Sequence, residues 1–332
     1  MKTILLLAII LCLEPIFGQN KKEQDSTGIL SFVDKMVTKV NIDTQSESFS
    51  IIRGATDEFK IRTNNQYKLS LSLDYEFLGI SIGFAPKFLP DNNDDGLRGK
   101  SSFTDYKFRF FFGNWTQSVQ YTKNQGFYVE NTVDFVPNWI RGQDAYIQFP
   151  NLKTIFWGGS TSYVLNPKFS LRNVTYNTEW QRKSAGSLIP TLHYGYNRKS
   201  NTTNGEKTFE NNYDVRLAAD YYYTWVIYKN WFAAPYISPS LGIRYTSYNV
   251  GTNIEKFTAL TTFLNSGLQV GYSSRKIVFG ANFNFNKSWI KEDEKTTVNN
   301  NKVFAKVYFG YRFEPPKFVR KTFKAINHKL GL

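Results

Sequence analysis

His193 is the residue with the clearest chemical potential, because the chain has only two histidines and this one lies in a strand-like stretch with Ser187 and Thr191 on its face. A histidine can act as the base that activates a serine nucleophile, which is the chemistry of ester hydrolysis. The separation of Ser187 from His193 corresponds to about 20 Å in an extended strand, so this pair cannot touch. Another serine would be needed, and no orienting acid stands out. We therefore expect no enzyme, and keep a lipid-modifying hydrolase that uses His193 as the alternative.

A second candidate is the acidic stretch from Asp91 to Gly96, which has the spacing of the first half of a calcium-binding loop. The twelfth position of such a loop needs a bidentate Glu, and Ser102 stands there. A solvated loop explains the composition better. We expect no bound metal and no cofactor.

A third set consists of charged side chains that fall opposite apolar residues in strand-like stretches. If they share an interior, they either pair with one another and fill it, or they line an anion-preferring lumen. The pattern leaves both possibilities open. The set is Lys107, Arg109, Arg216, Asp220, Arg244, Lys306 and Arg312.

The segments that carry these side chains alternate apolar and polar residues. The clearest case is the end of the chain, Ile277 to Phe313, where two alternating segments flank a polar loop. A period of two predicts strands. A soluble sandwich would turn the apolar face inward, whereas an outer-membrane barrel would turn it toward lipid and keep a polar lumen.

Loop and strand lengths favour the barrel. Working back from Phe313, long and short connections alternate, as they do in barrels with short periplasmic turns and longer external loops. Several predicted strands exceed roughly twelve residues, which is long for a sandwich and sufficient for a tilted membrane strand. We predict an all-β fold, an antiparallel transmembrane β-barrel of about twelve strands.

Three stretches are assigned less directly. Phe49 to Thr63 is needed as the first strand, and Phe169 to Gln181 is predicted as a strand whose lipid-facing side is open. Lys123 to Lys168 is predicted as a long external excursion, with a short helix near Leu152 to Val164. The alternation of loops requires this excursion to contribute either no spanning strand or two.

The remaining segments complete the predicted organisation. Residues 1–18 have the charged start and short apolar stretch of a cleaved signal peptide, and the only cysteine, Cys12, lies within it. Residues 19–48 are predicted as a periplasmic segment with a short helix at 29–40, residues 49–313 as the barrel, and residues 314–332 as a basic periplasmic tail. The predicted location is the outer membrane of a Gram-negative bacterium.

The net charge is +14, and aromatic residues make up 17% of the chain. Aromatic girdles at both membrane interfaces account for that aromatic content. No basic run is combined with a nucleic-acid-binding module, so we expect no nucleic-acid partner. The expected partners are outer-membrane lipid and lipopolysaccharide, together with a small solute; the oligomeric state is open.

Short sequence strings resemble a Bacteroidota family of outer-membrane barrels grouped under a domain of unknown function (DUF4421-like). The most specific is a turn that contains Gln181, Lys183, Ser184, Gly186 and Ser187. Weaker strings are Phe169–Arg172, Leu78–Ile80, Gln125–Tyr128 and Tyr163–Asn166. The resemblance implies a barrel in the outer membrane, but no substrate and no catalytic residues.

We therefore expect a porin-like role, the passage or binding of a small solute, or a structural role in the envelope. The alternatives are the His193 hydrolase and a soluble periplasmic lipid-binding barrel, which would turn its aromatic faces inward.

Overall fold

The computed structural model describes residues 28–44, 48–53, 57–203, 205–250, 253–291 and 297–331. The strands are β1 (Ile29–Ser31), β2 (Met36–Asp43), β3 (Ser48–Arg53), β4 (Asp57–Arg62), β5 (Lys68–Tyr75), β6 (Leu78–Phe84), β7 (Ser102–Phe112), β8 (Trp115–Val129), β9 (Gln148–Tyr163), β10 (Glu179–Gln181), β11 (Ala185–Thr203), β12 (Glu206–Tyr228), β13 (Trp231–Val250), β14 (Asn253–Ser273), β15 (Ile277–Lys291) and β16 (Thr297–Phe313). The helices are α1 (Asp95–Arg98), α2 (Leu171–Thr175) and α3 (Lys317–Leu330), with a 3-10 turn at Thr132–Asp134.

Twelve strands form a closed antiparallel ring in the order β2, β5, β6, β7, β8, β9, β11, β12, β13, β14, β15 and β16. The pairing of β8 with β9 and of β16 with β2 closes it. A closed ring leaves no sheet edge, so each strand within it has a partner on both sides. The predicted antiparallel barrel is confirmed.

The apolar faces of the strands point outward. On β12, Leu217 is 68% exposed while its neighbour Ala218 is buried, and on β15 Phe283 is 54% exposed. An apolar outer wall around a polar interior is the arrangement that a lipid environment requires. The soluble barrel with inward aromatic faces is therefore wrong.

The barrel has two distinct ends. We call the end that carries the tight turns at Gly113 and Lys229 the turn end; both residues have positive φ, as tight hairpins require. The opposite end, which carries the long connections at 85–101 and 130–147, is the loop end.

Outward-facing aromatic side chains mark both ends. At the turn end Trp231 contacts Tyr272, with ring centroids 5.3 Å apart. Near the loop end Tyr213 on β12 contacts Tyr245 on β13, with ring centroids 6.2 Å apart. On β12 the aromatic positions Tyr213 and Trp225 are about 40 Å apart along the strand, or about 30 Å across a bilayer at the usual tilt of barrel strands.

The start of the chain differs from the prediction. Residues 29–40, predicted as a short helix in a periplasmic segment, form β1 and part of β2, so the barrel begins at Met36. Apolar spacing at those positions suits either structure, but β16 and β5 would both have open edges without β2 between them. Unpaired backbone groups are very costly in lipid. The segment therefore forms a strand, because it supplies hydrogen-bond partners to both β16 and β5.

Two strand assignments were wrong in compensating ways. Phe49 to Thr63 contributes β3 and β4, a hairpin that joins the ring only through the pairing of β4 with β8. Phe169 to Gln181 contains α2 and β10, while the predicted excursion supplies one spanning strand, β9, at the position expected for a helix. The predicted number of about twelve strands still matches the structure, because β2 and β9 take the places of the two misassigned segments.

Candidate functional site

The connection between β9 and β11, residues 164–184, folds into the turn end of the barrel, and we call it the plug. Ser170 begins its helix α2, since the Ser170 hydroxyl accepts a hydrogen bond from the backbone of Asn173 at 2.8 Å. Outside the ring, β1 pairs with β10 of the plug in antiparallel register. The plug is thus a small folded unit and not a flexible loop.

Gln181 is the hub of the plug and is 2% exposed. Its amide accepts from the backbone of Ser170 at 2.7 Å and donates to the carbonyls of Lys168 and Lys183 at 2.7 and 2.9 Å. One side chain therefore fixes three points of the plug backbone.

The other residues of the family-like turn anchor the plug to the barrel. The Ser184 hydroxyl accepts from the backbone of Val226, and the Ser187 hydroxyl accepts from that of Asn166, both at 3.0 Å. Gly186 lies against Tyr223, where an added Cβ would meet the ring at 2.7 Å. Lys183 packs across Gly28, which precedes β1. The turn is thus structural in its contacts.

An apolar cluster seals the plug against the inner wall. Its members from the plug are Val164, Phe169, Leu171 and Val174, and those from the wall are Ile189, Phe232 and Ala234. Burial of these side chains holds the plug in place without ionic contacts.

Two cationic side chains of the barrel wall form hydrogen bonds with the backbone of the plug. The guanidinium of Arg312 on β16 donates to the Asn177 carbonyl, and the ammonium of Lys39 on β2 donates to the Tyr176 carbonyl at 2.9 Å. Arg109 lies over the Tyr176 ring at 4.8 Å. Burial raises the pKa of the Tyr176 phenol, so this ring stays neutral between the cations.

Asp74 is fully buried at the centre of this contact region. Its carboxylate accepts from Arg109 at 2.8 Å and lies 3.8 Å from the ammonium of Lys39. Arg109 and Lys39 therefore share one anion, and a buried charge cluster with an excess of cations remains.

A polar cavity of about 410 Å³ lies between the plug and the loop end. Thr175 of the plug contributes to its wall, and Asn124 and Thr154 line it on β8 and β9. Its volume lies within the range of small-molecule sites. Its charged lining residues are Lys39, Lys68, Lys107, Arg109 and Lys306, with Asp43 and Asp105 as the acids.

Lys107 and Lys306 line the cavity beside its two acids: Asp43 is the cross-strand neighbour of Lys306, and Asp105 precedes Lys107 by two residues on the same face of β7. Asp105 accepts hydrogen bonds from Gln120 and Thr122 at 2.6 Å. Within the described part of the chain, neither lysine has an ion-pair partner within 4.0 Å. Both ammonium groups therefore keep hydrogen-bonding capacity for an anion.

The other predicted lumen residues do not join this cavity. Arg244 pairs with Asp214 at 2.8 Å, and Arg216 lies 3.8 Å from the centre of the Phe263 ring. Asp220 accepts from Thr191 at 2.8 Å. Arg312 donates hydrogen bonds to the backbone of the plug. The seven predicted residues thus divide into three at the cavity, Lys107, Arg109 and Lys306, and four that have structural contacts.

His193 lies on the inward face of β11, in register with Ser160 on one side and Arg216 on the other. The Ser160 hydroxyl shares a hydrogen bond of 2.9 Å with the Ser118 hydroxyl. Ser187 is far along the strand and is committed to the plug. The geometry places the histidine away from the lipid-facing wall.

The calcium-like stretch is organised by a lysine. The ammonium of Lys87 donates to the Asn92 carbonyl at 2.7 Å and to the Asp95 carboxylate at 2.6 Å. Asn92 is buried and bonds the backbone of Tyr67 and Pro86. A cationic side chain thus pairs with Asp95, one of the side chains of the stretch that resembled a metal loop.

Lys39, Asp74 and Asn177 are the important residues that sequence reasoning missed. Lys39 was hidden because its segment resembled a helix. Asp74 lies on the polar face of β5. A carboxylate on the inward face of a strand could have indicated a buried charge pair. Nothing in the local sequence marks Asn177, whose left-handed backbone (φ 60°) presents its carbonyl to Arg312.

None of the helices in the described ranges has the length and apolar character needed to cross a membrane. The same residues contain no group of three or more His, Cys, Asp or Glu side chains placed to hold a metal ion.

Fold and site together define a transmembrane β-barrel with a plugged turn end and a basic lumen. The chain belongs to a family described as a domain of unknown function, DUF4421, whose model matches residues 23–313. A search of curated proteins finds no match.

Among solved structures, the chain is similar to OmpT of Vibrio cholerae, with 8% identity, a TM-score of 0.35, and coverage of 89% of this chain and 99% of that one. It is also similar to the β domain of the Bordetella autotransporter BrkA, with 11% identity, a TM-score of 0.37, and coverage of 84% and 99%. The toluene transporter TodX of Pseudomonas putida gives 9% identity, a TM-score of 0.32, and coverage of 90% and 99%. At these levels the similarity carries no functional argument.

Proposed function

We propose that this protein is an outer-membrane barrel that admits a small anionic solute from the loop end and holds it in the lumen above the plug. The observation that carries the proposal is the pair of ammonium groups, Lys107 and Lys306, which line a polar cavity of about 410 Å³ and have no ion-pair partner within 4.0 Å among the described residues.

The direction of entry rests on the two ends of the barrel. Single-chain bacterial barrels keep short turns on the periplasmic side and longer loops outside. The loop end is then external, and the plug blocks direct diffusion at the periplasmic end. Binding above the plug is therefore favoured over free passage.

The charge of the solute rests on the cavity lining. Arg109 and Lys39 are engaged with Asp74, while Lys107 and Lys306 keep their donors for a ligand. A carboxylate or a phosphate can accept from both, and hydrogen bonds to charged groups are stronger than neutral ones.

The proposal can be tested by titration calorimetry of the detergent-solubilised barrel with citrate, with glucose as the neutral probe. We expect citrate to bind and glucose to give no heat. The double variant Lys107→Gln/Lys306→Gln is expected to lose about tenfold or more in affinity for each lysine removed.

The matched control is Lys60→Gln/Lys276→Gln, which removes the same charge from exposed positions outside the cavity. It should bind citrate like the wild type. Equal binding of citrate and glucose, or unchanged citrate binding by the lumen variant, would overturn the proposal.

A further inference from the structure

The C-terminal helix α3 begins directly after the last barrel strand. β16 ends at Phe313, whose ring stacks with that of outward-facing Tyr311 at 6.4 Å at the turn end. The helix starts four residues later, at Lys317. Its N-terminus is therefore at the level of the turn-end aromatic side chains.

One face of α3 packs on the outside of the barrel. The Phe323 ring contacts Tyr75 edge-to-face at 4.7 Å and Phe77 at 5.4 Å. Tyr75 shares the outward face of β5 with the exposed Leu71 and Leu73, yet it is only 4% exposed, because α3 covers it. The helix thus lies against the outer wall and not below the lumen.

Polar contacts fix the helix at both ends. The Asn327 amide donates to the Glu76 carboxylate in the turn between β5 and β6 at 2.5 Å. Near the start, Glu314 accepts from Lys35 and, at 2.9 Å, from Arg320. These contacts hold the helix along the rim of the barrel.

The opposite face of α3 is strongly basic. At 100° per residue, Lys317, Lys321 and Lys324 fall together, away from the face of Phe323. All three are exposed, and the helix contains no acidic residue. Beside them Phe318 is 73% exposed, which is unusual for so large an apolar side chain unless apolar material covers it.

We propose that this basic face of α3 binds the anionic headgroups of phospholipids in the leaflet at the turn end, with Phe318 in the adjoining acyl region. Basic amphipathic helices at the membrane interface bind in this way. Its position beside the outward-facing aromatic rings and its charge both favour lipid over a partner in solution.

The test is a lipid titration of the purified full-length barrel, followed by native mass spectrometry, with dioleoyl-phosphatidylglycerol and dioleoyl-phosphatidylcholine as probes. We expect the anionic lipid to bind more tightly. In Lys317→Gln/Lys321→Gln/Lys324→Gln that preference should fall by about fivefold per lysine, and salt should weaken it in the wild type.

The control is Lys60→Gln/Lys207→Gln/Lys256→Gln, which removes three exposed charges elsewhere and should keep the preference. Heat-modifiable gel mobility verifies that both variants are folded. Equal binding of the two lipids by the wild type, or an equal loss in both triple variants, would overturn the proposal. Citrate binding in the lumen is independent of this result.

Discussion

The guanidinium of Arg312 donates to the backbone carbonyl of Asn177, at 2.7 Å from Nη2 and 3.0 Å from Nε. This contact joins the last strand of the barrel to the middle of the plug. The same guanidinium also donates to the Ser273 hydroxyl at 3.1 Å, so wall and plug share one buried cation. Closure of the turn end thus depends on a residue about 135 positions from its partner in sequence.

We expect Arg312→Gln to open the turn end. Each lost hydrogen bond to the charged group costs about 1.5–3 kcal/mol, enough to raise the open population by about tenfold or more. Planar-bilayer recordings should show rare or small steps for the wild type and frequent discrete steps for the variant.

The matched control for this experiment is Arg244→Gln, which breaks the pair with Asp214 away from the plug. It should conduct like the wild type. An Arg312 variant that is folded and as silent as the wild type would show that the apolar cluster alone keeps the plug closed.

A second prediction concerns Gln181→Leu, which removes all three side-chain hydrogen bonds of the plug hub. Each buried group left unsatisfied costs about 1–3 kcal/mol. Because the ring does not use this side chain, the barrel should keep its heat-modifiable mobility while trypsin cleaves near Arg172 and Arg182 faster. Gln143→Leu, at an exposed loop position, should leave the cleavage rate unchanged.

The sequence predicted the barrel well because lipid outside and polar groups inside impose a period of two on every strand. The hairpin of β15 and β16 carries that signal from Ile277 to Phe313 without help from the rest of the chain. The inward position of Lys107 and Lys306 follows from the same alternation.

The plug could not be predicted this way, because its order comes from side chains that bond the backbone. The local sequence of 169–181 is typical of a strand. The segment instead contains α2 because Ser170 caps that helix and Gln181 forms hydrogen bonds with three backbone groups. Likewise β2 is a strand because β5 and β16 need a neighbour, which local spacing cannot reveal. Local pattern therefore predicts most strands of the wall, whereas long-range contacts determine β2 and the plug.

Solute binding and lipid hydrolysis predict different effects of replacing His193. We expect the reconstituted wild type to release no fatty acid from phosphatidylglycerol, and His193→Ala to bind citrate as the wild type does. The physical reason is that His193 lies inward, in register with Arg216, and not on the lipid-facing wall. Ester cleavage by the wild type that is lost in His193→Ala would establish an enzyme instead.

The outward orientation of the apolar face gives a last prediction, on stability. Leu217 lies on the outer face of β12 between Tyr213 and Trp225. An arginine there meets hydrocarbon, so Leu217→Arg should lower the free energy of unfolding by up to about 2–4 kcal/mol near the bilayer midplane. Gln143→Arg introduces the same side chain at an exposed position of the loop end and should change the free energy of unfolding by no more than about 0.5 kcal/mol. Urea unfolding in phosphatidylcholine vesicles, followed by the fluorescence of the seven tryptophans, measures both. Equal costs for the two variants would mean that water, and not lipid, surrounds the wall.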